Sequence, residues 1–220
     1  VAPSRRRWLE AAERGLPSDA PYSLDAASAG RRSLRNQAMA LIPRIDGGAL
    51  ASRQFAEADN MTDSLAALGA LTMAGADGAA PALEAFRKRW AQDTLVMDKW
   101  YAVQATSPAI GAFERIEELS MTLNWRNPNK FRSLIGAFAV ANPVVFHRLD
   151  GAGYRFFADW LIKMDELNPQ TAARVAGAFE TWRRYSEDRQ ALMKDEMTRV
   201  LNREDASKDI SEILGRILSA

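Results

Sequence analysis

The chain has 220 residues, 47% hydrophobic and 26% charged, with a formal net charge of +1. That composition supplies one sizeable core or two small ones, and near-zero charge removes the basic excess on which nucleic-acid binding rests. With no cysteine, disulfides and thiolate metal sites are excluded, and a reducing, cytoplasmic setting is expected.

The N-terminal "VAPSRRRWLEAAERG" has no apolar core of the signal-peptide kind. Its Arg5 to Arg7 cluster reads as a solvated helix face. Lacking an initiator methionine, the chain is expected to begin within a larger protein. No apolar run approaches the roughly 20 residues that span a bilayer, so no membrane partner is expected.

Helix signals then follow one another. "MTDSLAALGALTM" places Met61, Leu65, Leu68 and Met73 near helical spacing behind Asn60 as cap. "TLVMDKWYAVQA" does so with Leu95, Val96, Trp100 and Val103 behind Asp93. "FRSLIGAFAVA" is apolar nearly all round, which predicts a helix buried on most sides. "YRFFADWLIKM" continues the pattern, and "EDRQALMKDEMTRVLN" is amphipathic behind Ser186. "SKDISEILGRIL" ends the chain with Ile210, Ile213, Leu214 and Ile217 on one stripe.

Proline placement agrees with this reading. Pro81, Pro108, Pro128, Pro143 and Pro169 are each expected at a helix start, where a missing N–H costs nothing. Three are preceded by asparagine, whose side chain caps an orphan backbone donor. The starts at Asn60, Asp93, Asn127 and Asn168 are 33, 34 and 41 residues apart. Each interval holds two helices, as in stacked hairpins of the HEAT or TPR kind. An irregular all-α domain fits the residues as well, so all-α is the common prediction.

Self-sufficient catalytic chemistry is missing. His147 is the one histidine, so neither an H-E-x-x-H zinc site nor a serine–histidine pair has its parts. His147 itself reads as structural near a helix end, with a ligand contact as the lesser alternative. Asp165-Glu166, Glu117-Glu118 and Glu204-Asp205 are sequence neighbours that diverge on a helix, and they read as solvated surface rather than acid/base pairs. "DGAGY" at Asp150 to Tyr154 reads as a turn that opens a helix.

Lys130, Arg132 and Arg174 stand where the positive end of a helix dipole disfavours cations, by roughly 0.3–1 kcal/mol. Either they curl outward to carboxylates on other helices, or two helix starts converge on an anionic ligand with Gln170 as neutral partner.

The stretches "RRSLRNQAM", "DNMTDSLAAL", "LVMDKWYAVQATSPA", "NPNKFRSLIGAFAVANPVVFHRLDGAGY" and "NPQTAAR" resemble the C-terminal region of the bacterial alanyl aminopeptidase (aminopeptidase N) family of thermolysin-like zinc aminopeptidases. The likeness runs from about Gly30 to the C-terminus; residues 1–29 match less clearly. It implies one helical C-terminal domain over residues 1–220, a HEAT-like superhelix that caps the active-site cleft. Peptide substrate and the catalytic domain of the same polypeptide are the implied partners, in a monomeric parent. Zinc and the catalytic glutamate belong to parts absent here, so this chain is expected to hold no cofactor and to be inactive alone. The resemblance places Arg132, Gln170 and Arg174 beside substrate, beyond the scissile bond. A free-standing helical-repeat scaffold for a protein or peptide partner is the competing expectation.

Overall fold

The structure, a computed structural model, describes residue 7 and residues 22–219. No strand occurs among the described residues, so the chain is all-α. Its Cα packing divides it into two units, one reaching Val103 and including Ser107–Ile110, the other made of Gln104–Thr106 and the chain from Gly111 onward.

The first unit holds α1 (Ala26–Ala40), α2 (Pro43–Asp46), α3 (Ala49–Glu57), α4 (Met61–Ala74), α5 (Ala79–Trp90) and most of α6 (Thr94–Ala105). Helix α4 is central, with α1, α3 and α5 packed on it. Asn60 starts it by accepting the Asp63 N–H at 2.9 Å. Its buried face is Asp63, Ser64, Ala67, Leu68, Ala70, Leu71 and Thr72.

A buried polar group on that face requires partners, and here they tie three helices together. The Asp63 carboxylate accepts Asn36 Nδ2 at 2.9 Å and Asn60 Nδ2 at 3.0 Å, and pairs with the Arg35 guanidinium at 2.6 Å. Gln54 donates to Asn36 Oδ1 at 2.8 Å and to the Asp63 carbonyl at 3.2 Å. Burial works to raise the Asp63 pKa, but the bonds from Asn60 and Asn36 and the Arg35 charge outweigh it and hold the group below its usual range.

The second unit holds α7 (Ala112–Thr122), α8 (Pro128–Phe131), a π-helical turn (Arg132–Gly136), α9 (Ala137–Ala141), α10 (Pro143–Phe146), α11 (Ala152–Leu167), α12 (Pro169–Ala176), two 3₁₀ turns (Gly177–Phe179 and Trp182–Arg184), α13 (Glu187–Leu201) and α14 (Lys208–Ser219). Helix α11 packs on α12 and α13, and α12 on α14. The core between them is aromatic. Phe146 meets Phe138 and Phe157 edge to face at 5.5 Å, and Phe157 meets Phe179 at 5.3 Å, the geometry that ring quadrupoles favour.

Two links close this unit. Trp182 Nε1 and Arg183 donate to the Ile217 carbonyl at 3.1 and 3.0 Å, and Arg183 also reaches Leu218 O at 2.8 Å. They serve the orphan carbonyls that end α14. Asp165, 3% exposed, accepts Ser207 N at 3.0 Å ahead of that helix.

The asparagine starts appear as the sequence predicts: Asn127, Asn142 and Asn168 each accept a first-turn N–H, with proline at the first helical position. Asp93 likewise accepts Leu95 N and Val96 N. Gly151, at φ 68°, opens α11 as the "DGAGY" turn requires.

Other expectations are corrected. Pro108 lies in the loop before α7 rather than at a helix start. Ser186 makes no capping bond; Arg189 donates to its hydroxyl instead. Met73 and Leu95 are exposed, because the buried faces of α4 and α6 centre on Leu68 and Trp100. Asp165 is buried rather than solvated, since the loop before α14 lies on it. The Arg5 to Arg7 reading falls largely outside the described residues; Arg7 is exposed.

Candidate functional site

Asn127 and Pro128 start the helix that carries Arg132, and Asn168 and Pro169 start the one that carries Arg174. Between Pro128 and Ala141 the helix widens into a π turn, where Ala137 N–H bonds back five residues to Arg132 O. Such wide turns concentrate at functional positions. Gly136 faces α12 at an ordinary packing distance: a Cβ there would stand 3.9 Å from Val175 Cγ1.

Gly136 and Val175 are among the residues that line a pocket of about 560 Å³ in the second unit. Arg132 and Arg174 both line it, together with His147, Thr181 and Tyr185 and an apolar wall that includes Ala137, Val140, Pro143 and Val175. No aspartate or glutamate is among its lining residues. Two arginines thus border one cavity with no acid among its lining residues, an arrangement that suits an anion.

From the sequence two explanations are open for these arginines, and the geometry alters both. Arg132 donates to Asn129 Oδ1 at 2.6 Å, so an amide rather than a carboxylate holds it. Arg174 makes no ion pair with another described residue. It sits in the last turn of α12, because that helix is only eight residues long, and there the dipole favours a cation. What the fold brings together is the two arginines, as lining residues of one cavity. Gln170 is exposed and is not among the pocket-lining residues; it stands one turn before Arg174 on the same face of α12.

His147, which reads from the sequence as structural with a ligand contact as the lesser alternative, is also a pocket-lining residue. Its Nδ1 lies 2.8 Å from the hydroxyl of fully buried Tyr154. Its ring stacks on Tyr185 with centroids 3.9 Å apart and meets Phe146 edge to face at 4.9 Å. A buried phenol hydrogen without an acceptor costs about 1–3 kcal/mol, so the network assigns the tautomer: Tyr154 donates, Nδ1 accepts, and the ring proton is on Nε2. Burial, and then the charge of Arg189, push the imidazole pKa down to about 4; Arg189 Nε donates to the His147 carbonyl at 2.8 Å. Burial likewise pushes the Tyr154 phenol up to about 12. Tyr185 and Thr181 carried no signal in the sequence, because nothing local ties them to the "NPNKF" and "NPQTAAR" starts.

Among the described residues no group of three or more His, Asp or Glu is placed to hold a metal, and no helix is long and apolar enough to cross a membrane.

The family described as "Domain of unknown function (DUF3458_C) ARM repeats" matches residues 2–219. Over 202 residues, 90% of the chain, it is 38% identical to aminopeptidase N of Caulobacter vibrioides. It is 37% identical to aminopeptidase N of Escherichia coli K12 over 205 residues, again 90% of the chain. The chain spans about a quarter of the length of these relatives, 23% in each case. Among solved structures, it resembles the crystal structure of Legionella pneumophila aminopeptidase A in complex with aspartic acid, with a TM-score of 0.84 and 27% identity, covering 98% of this chain and 26% of that one. The chain belongs to the DUF3458_C family of ARM-repeat domains, the kind of helical domain that aminopeptidase N proteins carry.

Proposed function

We propose that this chain is the single, non-catalytic C-terminal domain of a zinc aminopeptidase that removes N-terminal residues from peptides. It covers the catalytic domain's cleft, restricts entry to peptides, and lines the subsites beyond the scissile bond. The observation that carries this reading is the shared pocket of Arg132 and Arg174, free of acidic lining. It supports an anionic or carbonyl-rich stretch of peptide as the ligand, with Gln170 adding a neutral donor and acceptor at the rim.

Zinc, when bound, would polarise the scissile carbonyl and activate water, and its ligands would come from outside this chain. What these residues contribute is binding and orientation of the peptide downstream of the cut, and exclusion of water. A cytoplasmic setting suits a chain without cysteine.

The test is a comparison of substrates in the full-length polypeptide. Arg132→Ala and Arg174→Ala should raise KM for a tetrapeptide by roughly 10–100-fold, the worth of a charge-assisted contact. An aminoacyl anilide, which reaches little beyond the scissile bond, should be cleaved as before. Equal losses on both substrates, or none on the tetrapeptide, would overturn the reading. So would zinc-dependent anilide cleavage by the 220-residue chain alone.

A further inference from the structure

We infer that His147 is a third ligand donor of the Arg132–Arg174 pocket, presenting a neutral Nε2–H to the carboxylate of a bound peptide. The inference rests on the reading of that pocket as a peptide site and goes beyond it in naming the group recognised and the residue that completes the recognition.

Three observations carry it. First, the pocket combines two guanidiniums with an apolar wall and no acid among its lining residues. Its ligand therefore carries negative charge on an apolar body, as a peptide ending in an apolar residue does. Second, the imidazole uses Nδ1 on Tyr154, whose hydroxyl lies in the interior. The half-buried residue is among those that line the pocket, and with Nδ1 engaged in the interior, Nε2 is the ring nitrogen left to meet a ligand there. Among the described residues Nε2 has no hydrogen-bond partner. Third, the ring cannot turn away. Tyr185 stacks on one face at 3.9 Å, Phe146 meets it at 4.9 Å, and Arg189 fixes the backbone carbonyl of the same residue.

A donor held in place before the ligand arrives loses little freedom on binding. Burial and Arg189 keep the ring uncharged at neutral pH, so a third cation is not crowded against Arg132 and Arg174. The site then holds a fork of two charged donors and one neutral donor, which fits the oxygens of one carboxylate and leaves a carboxamide, with its single acceptor, underbound.

Because the chain has one histidine, ¹⁵N-histidine labelling gives one pair of ring signals. In the free chain those signals should show the Nε2–H tautomer, and Tyr154→Phe should mix the two tautomers. Titration with the tripeptide Ala-Ala-Phe as free acid should move the Nε2 signal; its C-terminal amide should not. His147→Phe, checked by circular dichroism for an intact fold, should weaken binding of the acid about tenfold, and His147→Gln, which keeps a donor near the Nε2 position, should restore most of it. An Nδ1–H tautomer in the free chain, or acid binding unchanged in His147→Phe while Arg132→Ala abolishes it, overturns the role of His147 and leaves the arginine pocket standing. Acid and amide binding alike, or neither binding, overturns the arginine pocket as well.

Discussion

Asp165 and Ser207, 42 positions apart, are joined twice: one carboxylate oxygen accepts the Ser207 backbone N–H at 3.0 Å and the other its hydroxyl. The Ser207 hydroxyl in turn accepts Ile210 N at 3.1 Å, so a buried acid on α11 organises the start of α14. Arg203 stands beside it, 3.9 Å from the carboxylate, with one buried guanidinium nitrogen that has no hydrogen-bond partner. Asp165→Ala would leave the Ser207 N–H and hydroxyl without their acceptor, while Arg203 keeps Asp205 at 2.6 Å and Glu166 at 3.4 Å. We expect a loss of about 2–4 kcal/mol in urea unfolding, against about 1 kcal/mol for Ser207→Ala.

Two glycines should respond to alanine in opposite ways. A Cβ on Gly153 would fall 2.4 Å from Phe146 O and 3.0 Å from its Cα, and backbone of a packed helix cannot move aside cheaply. Gly153→Ala should cost about 2–4 kcal/mol, outweighing the roughly 1 kcal/mol that alanine gains in a helix. At Gly136 the nearest atom to an added Cβ is Arg132 Cβ at 3.6 Å, an ordinary contact. Gly136→Ala should leave stability unchanged or raise it by up to ~1 kcal/mol. Thermal melts of the pair decide the matter.

The imidazole of His147 makes stability depend on pH in a defined direction. Its pKa is about 4 in the folded chain against 6.5 ordinarily. Between those values the unfolded chain takes up a proton that the folded one refuses. Stability is therefore full above about pH 6.5, falls as pH drops toward 4, and levels off for this group below that. For a half-buried, partly screened ring the loss should be on the order of 1–2 kcal/mol. His147→Gln should flatten that part of a stability profile measured by urea unfolding from pH 4 to 7.5.

In the first unit, the polar bridge through Asp63 predicts coupling. Asn36→Ala removes a donor to the carboxylate and the acceptor of Gln54, at about 1–3 kcal/mol. Asp63→Ala should cost about 2–4 kcal/mol, because Arg35 loses its partner. The double variant should lose less than the sum of the singles in a denaturation cycle; simple additivity would show that the bridge does not act as one network.

The starts of the helices were readable because they depend on residues that act within four positions. Asn60, Asn127, Asn142 and Asn168 cap by the bonds their side chains allow. Other features depend on what lies across space. Met73 sits on the expected period yet faces solvent, since α4 is surrounded on its Leu68 side. Asp165 looked like any surface acid until Ser207 came to rest on it. Arg132 and Arg174 were singled out for their odd place near helix starts, and they do share a pocket. The reason given for Arg174 was wrong, because the length of α12 could not be read from "NPQTAARVAGAF". His147 reads in the sequence as structural near a helix end, with a ligand contact as the lesser alternative; the rings that place it, Tyr154 and Tyr185, stand 7 and 38 positions further along the chain.

The wide turn at Arg132–Gly136 makes chain length itself a determinant of this region. Each residue advances an α-helix by about 100°, so trimming one residue there would let the helix relax to its regular pitch and spin Ala137–Ala141 about its axis relative to Pro128–Phe131. Phe138 would leave its ring partners and Arg132 would swing away from Arg174, with every side chain chemically intact. A relative missing that single position would keep the composition of the "NPNKFRSLIGAFAVA" stretch and lose its meaning.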